Sequence, residues 1–219
     1  MTAAGEGARA PRGALEDGMS RRHPGHRIAA RGALRLAPVL AALGLAGCAS
    51  APPATFDLRA PAEVARVPSR GQIVVAEPTA LGTYDADRIT VRSSDGTVSY
   101  LGGGQWSDRL PRLVQARLIQ TFENAGRVGS VARPADRLVA TAQLTSEIRA
   151  FELRSGTGEA VVELSVRLVN DRLGTVIAAR IVSARVPVAA IDAPNAARGL
   201  EEALARAMVE IVRWASARA

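Results

Sequence analysis

Few side chains in this 219-residue chain can act as nucleophile, base or metal ligand, and their positions decide which chemistry is open to it. The two histidines, His23 and His26, lie near the N-terminus; there is no lysine, and Cys48 is the single cysteine. Beyond Cys48 no imidazole remains to serve as the base of a Ser-His-Asp or Cys-His arrangement. The same absence removes His/Cys zinc sites, Schiff-base chemistry and the phosphate-binding lysine of a P-loop. One cysteine makes no intramolecular disulfide. An enzyme would be left with a pair of carboxylates, with Ser or Thr lacking their usual bases, or with Tyr84 and Tyr100. Glycoside hydrolysis needs two carboxylates across a cleft, but sugar sites usually offer aromatic platforms and only 3% of residues here are aromatic. The chain therefore reads as a non-enzyme, with no metal, cofactor or catalytic residue expected.

Cys48 has a chemistry of its own. It closes the run Leu45-Ala46-Gly47-Cys48, preceded by the uncharged stretch Leu36 to Ala46 and by Arg21, Arg22, Arg27, Arg31 and Arg35. A stretch of this length is too short to cross a bilayer, which takes about 20 apolar residues, and it suits the apolar region of a secretory signal. A core helix would carry polar residues at helical spacing, and this run has none. Ala46 and Gly47 let the chain lie extended in a peptidase cleft, and the Cys48 thiol is the nucleophile a diacylglyceryl transferase requires. All four positions resemble a bacterial lipobox, so residues 1–47 are expected to be a signal peptide and Cys48 a lipid-modified N-terminus. Met19 opens a more compact leader. Ser20-Arg21-Arg22 is followed by His23-Pro24-Gly25 rather than by apolar residues, which favours ordinary Sec export over the twin-arginine route.

Charge narrows the partners. Seven of the 28 arginines and three of the 21 acids precede Cys48, leaving 21 arginines against 18 acids, a net +3, in residues 48–219. Arginine alternates with acids throughout rather than clustering on one face, so nucleic acid is a poor partner.

The elements that would carry any site follow in order. Residues 48–70, with Pro52, Pro53, Pro61 and Pro68, read as a tether, extended at about 3.1 Å per residue; Phe56-Asp57-Leu58 is its one apolar island, suited to a short strand docking on the body. Residues 71–219 read as one domain. Gln72–Glu77 is a short β-branched strand, and Arg88–Arg92 and Thr97–Leu101 form a hairpin about Ser94-Asp95-Gly96. Gly102-Gly103-Gly104 reads as a flexible strand-to-helix loop rather than an anion nest. Ser107 or Asp108 should cap a helix with Pro111 in its first turn and a stripe of Leu110, Leu113, Val114, Leu118, Phe122 and Ala125, stopped by Gly126. Gln115 falls off that stripe. A short strand at Val128–Val131 precedes two long alternating strands, over 138–148 and 160–169, and a third long strand over 175–186, turning at Gly156-Thr157-Gly158 and at Asn170–Gly174. Asp192-Ala193-Pro194 opens a closing helix with Leu200, Leu204, Met208, Ile211 and Ala215 inward and Trp214 to one side. The expected fold is α+β, order β-β-β-α-β-β-β-β-α, a mostly antiparallel or mixed sheet packed in two layers against two helices.

Tyr84-Asp85-Ala86-Asp87-Arg88-Ile89, then Tyr100, then Gln105-Trp106-Ser107-Asp108, with the later sheet and the closing helix bearing Trp214, resembles the ABC-type transport auxiliary lipoprotein family. This family includes the paraquat-inducible lipoprotein C and the lipoproteins that accompany MCE-domain lipid transporters. The likeness runs from about Phe56 to Trp214, departing at Phe56-Asp57-Leu58, where many relatives have Tyr-x-Leu. It implies an anchored, non-enzymatic subunit working with an MCE protein, an ABC permease and an ATPase, and it makes a homo-oligomeric ring plausible. Ala49 after the acylated cysteine suggests sorting to the outer membrane, facing the periplasm. Tyr84, Arg88, Tyr100 and Trp106 are the expected structural or partner-contact cluster, with core packing the plainer role for Trp106. A structural or assembly lipoprotein of the cell envelope is the alternative.

Overall fold

The computed structural model describes residues 52–67, 71–127, 129–136 and 139–219. The signal peptide and Cys48 expected from the sequence lie outside the described residues. The strands are β1 (Ala54–Phe56), β2 (Ile73–Val75), β3 (Thr79–Ala80), β4 (Arg88–Arg92), β5 (Val98–Trp106), β6 (Val131–Ala132), β7 (Ala142–Arg154), β8 (Glu159–Asn170) and β9 (Val176–Pro187). Helix α1 (Leu110–Phe122) follows β5 and α2 (Ala193–Ser216) closes the chain. The expected α+β order holds, with the short strands β1 and β3 added ahead of α1.

The thirteen-residue β7 is the spine. Along one edge it takes three parallel partners in succession: β2 opposite Ala142–Leu144, β3 opposite Glu147 and Ile148, β4 opposite Glu152–Arg154. Along the other edge it runs antiparallel to β8, which runs antiparallel to β9. β5 pairs antiparallel to β4 and parallel to β1, and β6 pairs parallel to β2. A bulge between Ile148 and Ala150 shifts the phase of β7. Phe151 and Leu153, opposite Val162 and Ala160, thereby share the face that Ile148 and Leu164 occupy.

That face lies under the helices. A Cβ on Gly199 of α2 would stand 3.0 Å from Ala160 Cβ, so the glycine lets helix and sheet meet. The stripes expected on both helices are buried, Leu110 to Ala125 in and beyond α1 and Leu200 to Ala215 in α2. Gln115, expected outside, is buried as well: α1 lies against β2, and the Gln115 side-chain amide donates to the Val75 carbonyl at 3.0 Å. Asp192 caps α2, accepting from the Asn195 amide at 2.9 Å.

Three local expectations are corrected. The cap of α1 is Arg109, without a side-chain cap bond; Asp108 instead accepts from the Arg109 amide. Gly102-Gly103-Gly104 is not a loop but part of β5, where Gly103 takes φ +79 and the register jumps from Gln105 to Tyr100 across two residues of β4. Gly104 is fixed by contact, since a Cβ there would stand 2.6 Å from Ala193 Cβ and 2.7 Å from the Phe56 ring.

The third concerns the tether, because the body begins at Ala54 rather than near residue 71. β1 lies in the sheet, Leu58 is fully buried, and Asp57 takes Arg117 of α1 at 2.7 Å and the Ser107 hydroxyl at 3.1 Å. Arg59 reaches Glu201 of α2 at 2.8 Å, Asn124 donates to the Pro61 carbonyl, and the Val67 amide donates to Ala125. Residues 57–67 make an extended strap across the helices, pinned at Asp57, Arg59, Pro61 and Val67 by groups on the body.

Candidate functional site

One face of β4 and β7 carries an ionic cluster whose parts come from three elements. Arg92 and Arg154 are direct partners at the ends of these strands, and Glu152, two residues before Arg154, shares their face. Glu152 is 1% exposed. The Arg92 Nε donates to its two oxygens at 2.9 and 2.8 Å, and Arg154 Nε stands 3.4 Å from Oε1. The loop between β3 and β4 covers the cluster: the Thr90 hydroxyl donates to the Thr83 carbonyl, and buried Tyr84 donates its phenol to Glu152 at 2.5 Å. The Arg92 Nη2 in turn donates to the Tyr84 oxygen at 3.1 Å. Burial, followed by the bond to Glu152, pushes the Tyr84 hydroxyl up to about 12. The bonds to Tyr84 and then Glu152 raise Arg92. Three donors, the Arg92 and Arg154 Nε–H groups and the Tyr84 hydroxyl, converge on the Glu152 carboxylate and hold the two guanidiniums in place.

Beyond Arg92 and Arg154 the β4–β5 and β7–β8 turns meet. A Cβ on Gly156 would stand 3.1 Å from Ser94 Cβ, so the turns touch. Between them is a cleft of about 360 Å³ lined by both arginines, Ser93, Ser94, Thr157 and the glycine backbone at Gly96 and Gly156. Asp95-Gly96 makes the expected turn, with Gly96 at φ +87 and the Asp95 carboxylate bound to the Thr97 amide.

The four residues singled out from the sequence divide into three settings. Arg88 stacks its guanidinium 3.6 Å from the centre of the Tyr100 ring, a cation–π pair across β4 and β5 that is partly open to solvent. Tyr84 belongs to the Glu152 cluster. Trp106 stands apart, 1% exposed, with its ring edge-on to Phe151 at 5.8 Å and 81° on the helix side of the sheet. Sequence reasoning missed Glu152, Arg92 and Arg154. An acid between Phe151 and Leu153 was the available signal, since two flanking core residues in a strand put it at a ladder position that packing can close. The bulge that joins this segment to the preceding alternation concealed it.

Among the described residues no group of three or more His, Cys, Asp or Glu side chains is placed to hold a metal, and no helix is long and apolar enough to cross a membrane. A second arginine-bearing groove lies along α2, where Arg218 stands 5.4 Å over the Trp214 ring; Glu210 and Glu202 engage Arg180 and Arg206 there.

An open mixed sheet with two helices on one face, a strap across them and an arginine-lined cleft at one end defines a small α+β body. The family described as the ABC-type transport auxiliary lipoprotein component matches residues 56–212, and the chain belongs to it. An uncharacterized protein of Bradyrhizobium diazoefficiens is 33% identical over 175 residues, covering 77% of this chain but 46% of its own length. The chain thus spans less than half of that relative. A crystal structure from Xanthomonas campestris, assigned to the family DUF330, shares the fold with a TM-score of 0.68 and 24% identity, covering 75% of this chain and 95% of the other. A second solved structure, of an uncharacterized protein, has a TM-score of 0.59 at 12% identity, covering 74% and 97%.

Proposed function

We propose that this protein is a membrane-anchored, non-enzymatic auxiliary lipoprotein of an MCE/ABC-type intermembrane lipid transport system, acting as a docking or adaptor subunit. The family match over residues 56–212 carries the reading. It is supported by the Leu45-Ala46-Gly47-Cys48 run and by a catalytic inventory without His or Lys beyond Cys48. In this reading Cys48 bears the acyl chains, Ala49 directs the protein to the outer membrane, and the body faces the periplasm. Its partners are then an MCE-domain protein, its permease and its ATPase. Assembly as a ring draws support from the long edge of β9, which among the described residues pairs only with β8 and exposes Val176, Ile177 and Ile181.

Membrane fractionation and pull-down of the wild type beside Cys48→Ala test the proposal. The wild type is expected in the membrane fraction, with Cys48 acylated by mass spectrometry and a neighbouring MCE-domain protein co-purifying. Cys48→Ala is expected to be released from the membrane. An unmodified thiol in the mature species overturns the anchor, and no association in either form overturns the adaptor role.

A further inference from the structure

We propose that the cleft between the β4–β5 and β7–β8 turns binds the phosphate of an anionic phospholipid headgroup in the anchoring leaflet. Three observations carry it, and it rests on the lipoprotein reading only for the position of the bilayer.

The first is how the guanidiniums are held. Glu152 takes both arginines through Nε, and Tyr84 takes Arg92 through Nη2. Arg154 Nη1 and Nη2 and Arg92 Nη1 make no hydrogen bond among the described residues, and about a third of each arginine side chain is open to solvent. Fixing Nε while leaving the outer fork free presents donors already oriented for an oxyanion, which lowers the ordering cost of binding. The second is charge and shape. One carboxylate against two guanidiniums leaves a net charge of one positive, matched to a phosphodiester monoanion, and the wall adds the Ser93 and Ser94 hydroxyls. The nearby acids do not line the cleft: Asp95 is turned to the Thr97 amide and Glu159 accepts from the Thr157 hydroxyl.

The third is direction. β1 runs parallel to β5 with Ala54 opposite Gly104, so the chain enters the sheet from the side on which β5 begins, the side of the cleft. From the level of Ala54 to that of Arg92 is about 10 Å along β4. The six residue steps from Cys48 to Ala54 span at most about 20 Å. If Cys48 is acylated, a lead of this length keeps the cleft end of the sheet within reach of headgroups, a limit that a tether running to residue 70 would not set.

The test uses the acylated full-length protein in vesicles of phosphatidylcholine alone or with about one quarter phosphatidylglycerol, read by flotation and by amide exchange at residues 93–97 and 155–158. Each guanidinium near an anionic surface contributes about 1 kcal/mol, so exchange there should slow roughly fivefold or more in the anionic vesicles. Arg154→Gln should remove the slowing and Arg154→Lys should restore part of it, with exchange in α2 unchanged as the check on folding. Slowing that persists in Arg154→Gln, or equal rates in the two vesicles, overturns the cleft. Equal slowing by free glycerol phosphate over phosphatidylcholine vesicles also overturns it, in favour of a soluble ligand. Failure of the wild type to float with either vesicle would be failure of the anchor instead.

Discussion

Glu152 is the residue on which the open face depends, because a single buried carboxylate holds neighbours from two strands and a loop. Replacing it with Gln leaves Arg92 and Arg154 close together without a counter-charge. Both guanidiniums are partly solvated, so the expected loss is about 2 kcal/mol, below the roughly 3–5 kcal/mol of a fully buried pair. Urea unfolding measures it. Tyr84 adds a pH signature. Its folded pKa, about 12, stands above its ordinary value of 10.0, so its contribution is fully present below pH 10 and is lost as pH rises toward 12. The wild type should therefore lose its stability advantage over Tyr84→Phe across that alkaline window, as seen by melts at stepped pH. Trp106 behaves as an apolar anchor, since its buried indole N–H has no partner among the described residues. Trp106→Ala should cost about 3–5 kcal/mol, and Trp106→Phe distinctly less, because it surrenders area but no hydrogen bond.

At the scale of elements, close approach matters more than propensity. Gly104 sits where β1, β5 and the start of α2 converge, and Ala there would place a methyl group inside the Phe56 ring and Ala193. Gly104→Ala should cost about 1–3 kcal/mol. It should also loosen β1, visible as faster amide exchange at residues 54–58 than in the rest of the sheet. The cap on α2 is polar and half-buried: bonds from the Asn195 amide and side chain hold Asp192 below the usual carboxylate range. Its contribution is complete above the unfolded value near 3.8 and is lost as pH falls through the lower folded value, so Asp192→Ala should flatten the acid limb of a stability profile.

For the whole molecule, what distinguishes the body is its two unlike faces and its exposed edge. Helices and strap cover one face of the sheet. The other carries the polar residues of β7 and β8, and β9 leaves Ile181 53% exposed at the rim. Ile181→Lys should leave the melting temperature nearly unchanged, as for most surface substitutions. If copies associate through β9, it should shift the sedimentation of the assembled protein toward the monomer; unchanged sedimentation assigns any assembly to another surface.

Much of this was legible in the amino-acid order. Period-two alternation located β8 and the first half of β7, whose strand runs from Ala142 to Arg154 rather than over 138–148; i, i+3/4 spacing located both helices and their buried stripes, and Asp192 announced its cap, because each of these signals is a local steric or solvation preference expressed within a few residues. Absence of His and Lys beyond Cys48 bounded the chemistry in the same direct way. What tertiary structure alone decided were the partners of residues far apart in the chain. Nothing local tells that residues 54–67 will find Arg117, Asn124 and Glu201 to bind them. Nor does anything local tell that a bulge at residue 149 will seal Glu152 beneath Tyr84, or that β1 will enter the sheet from the end that holds Arg92 and Arg154. Those outcomes depend on long-range pairing and register, which no short stretch of sequence encodes by itself.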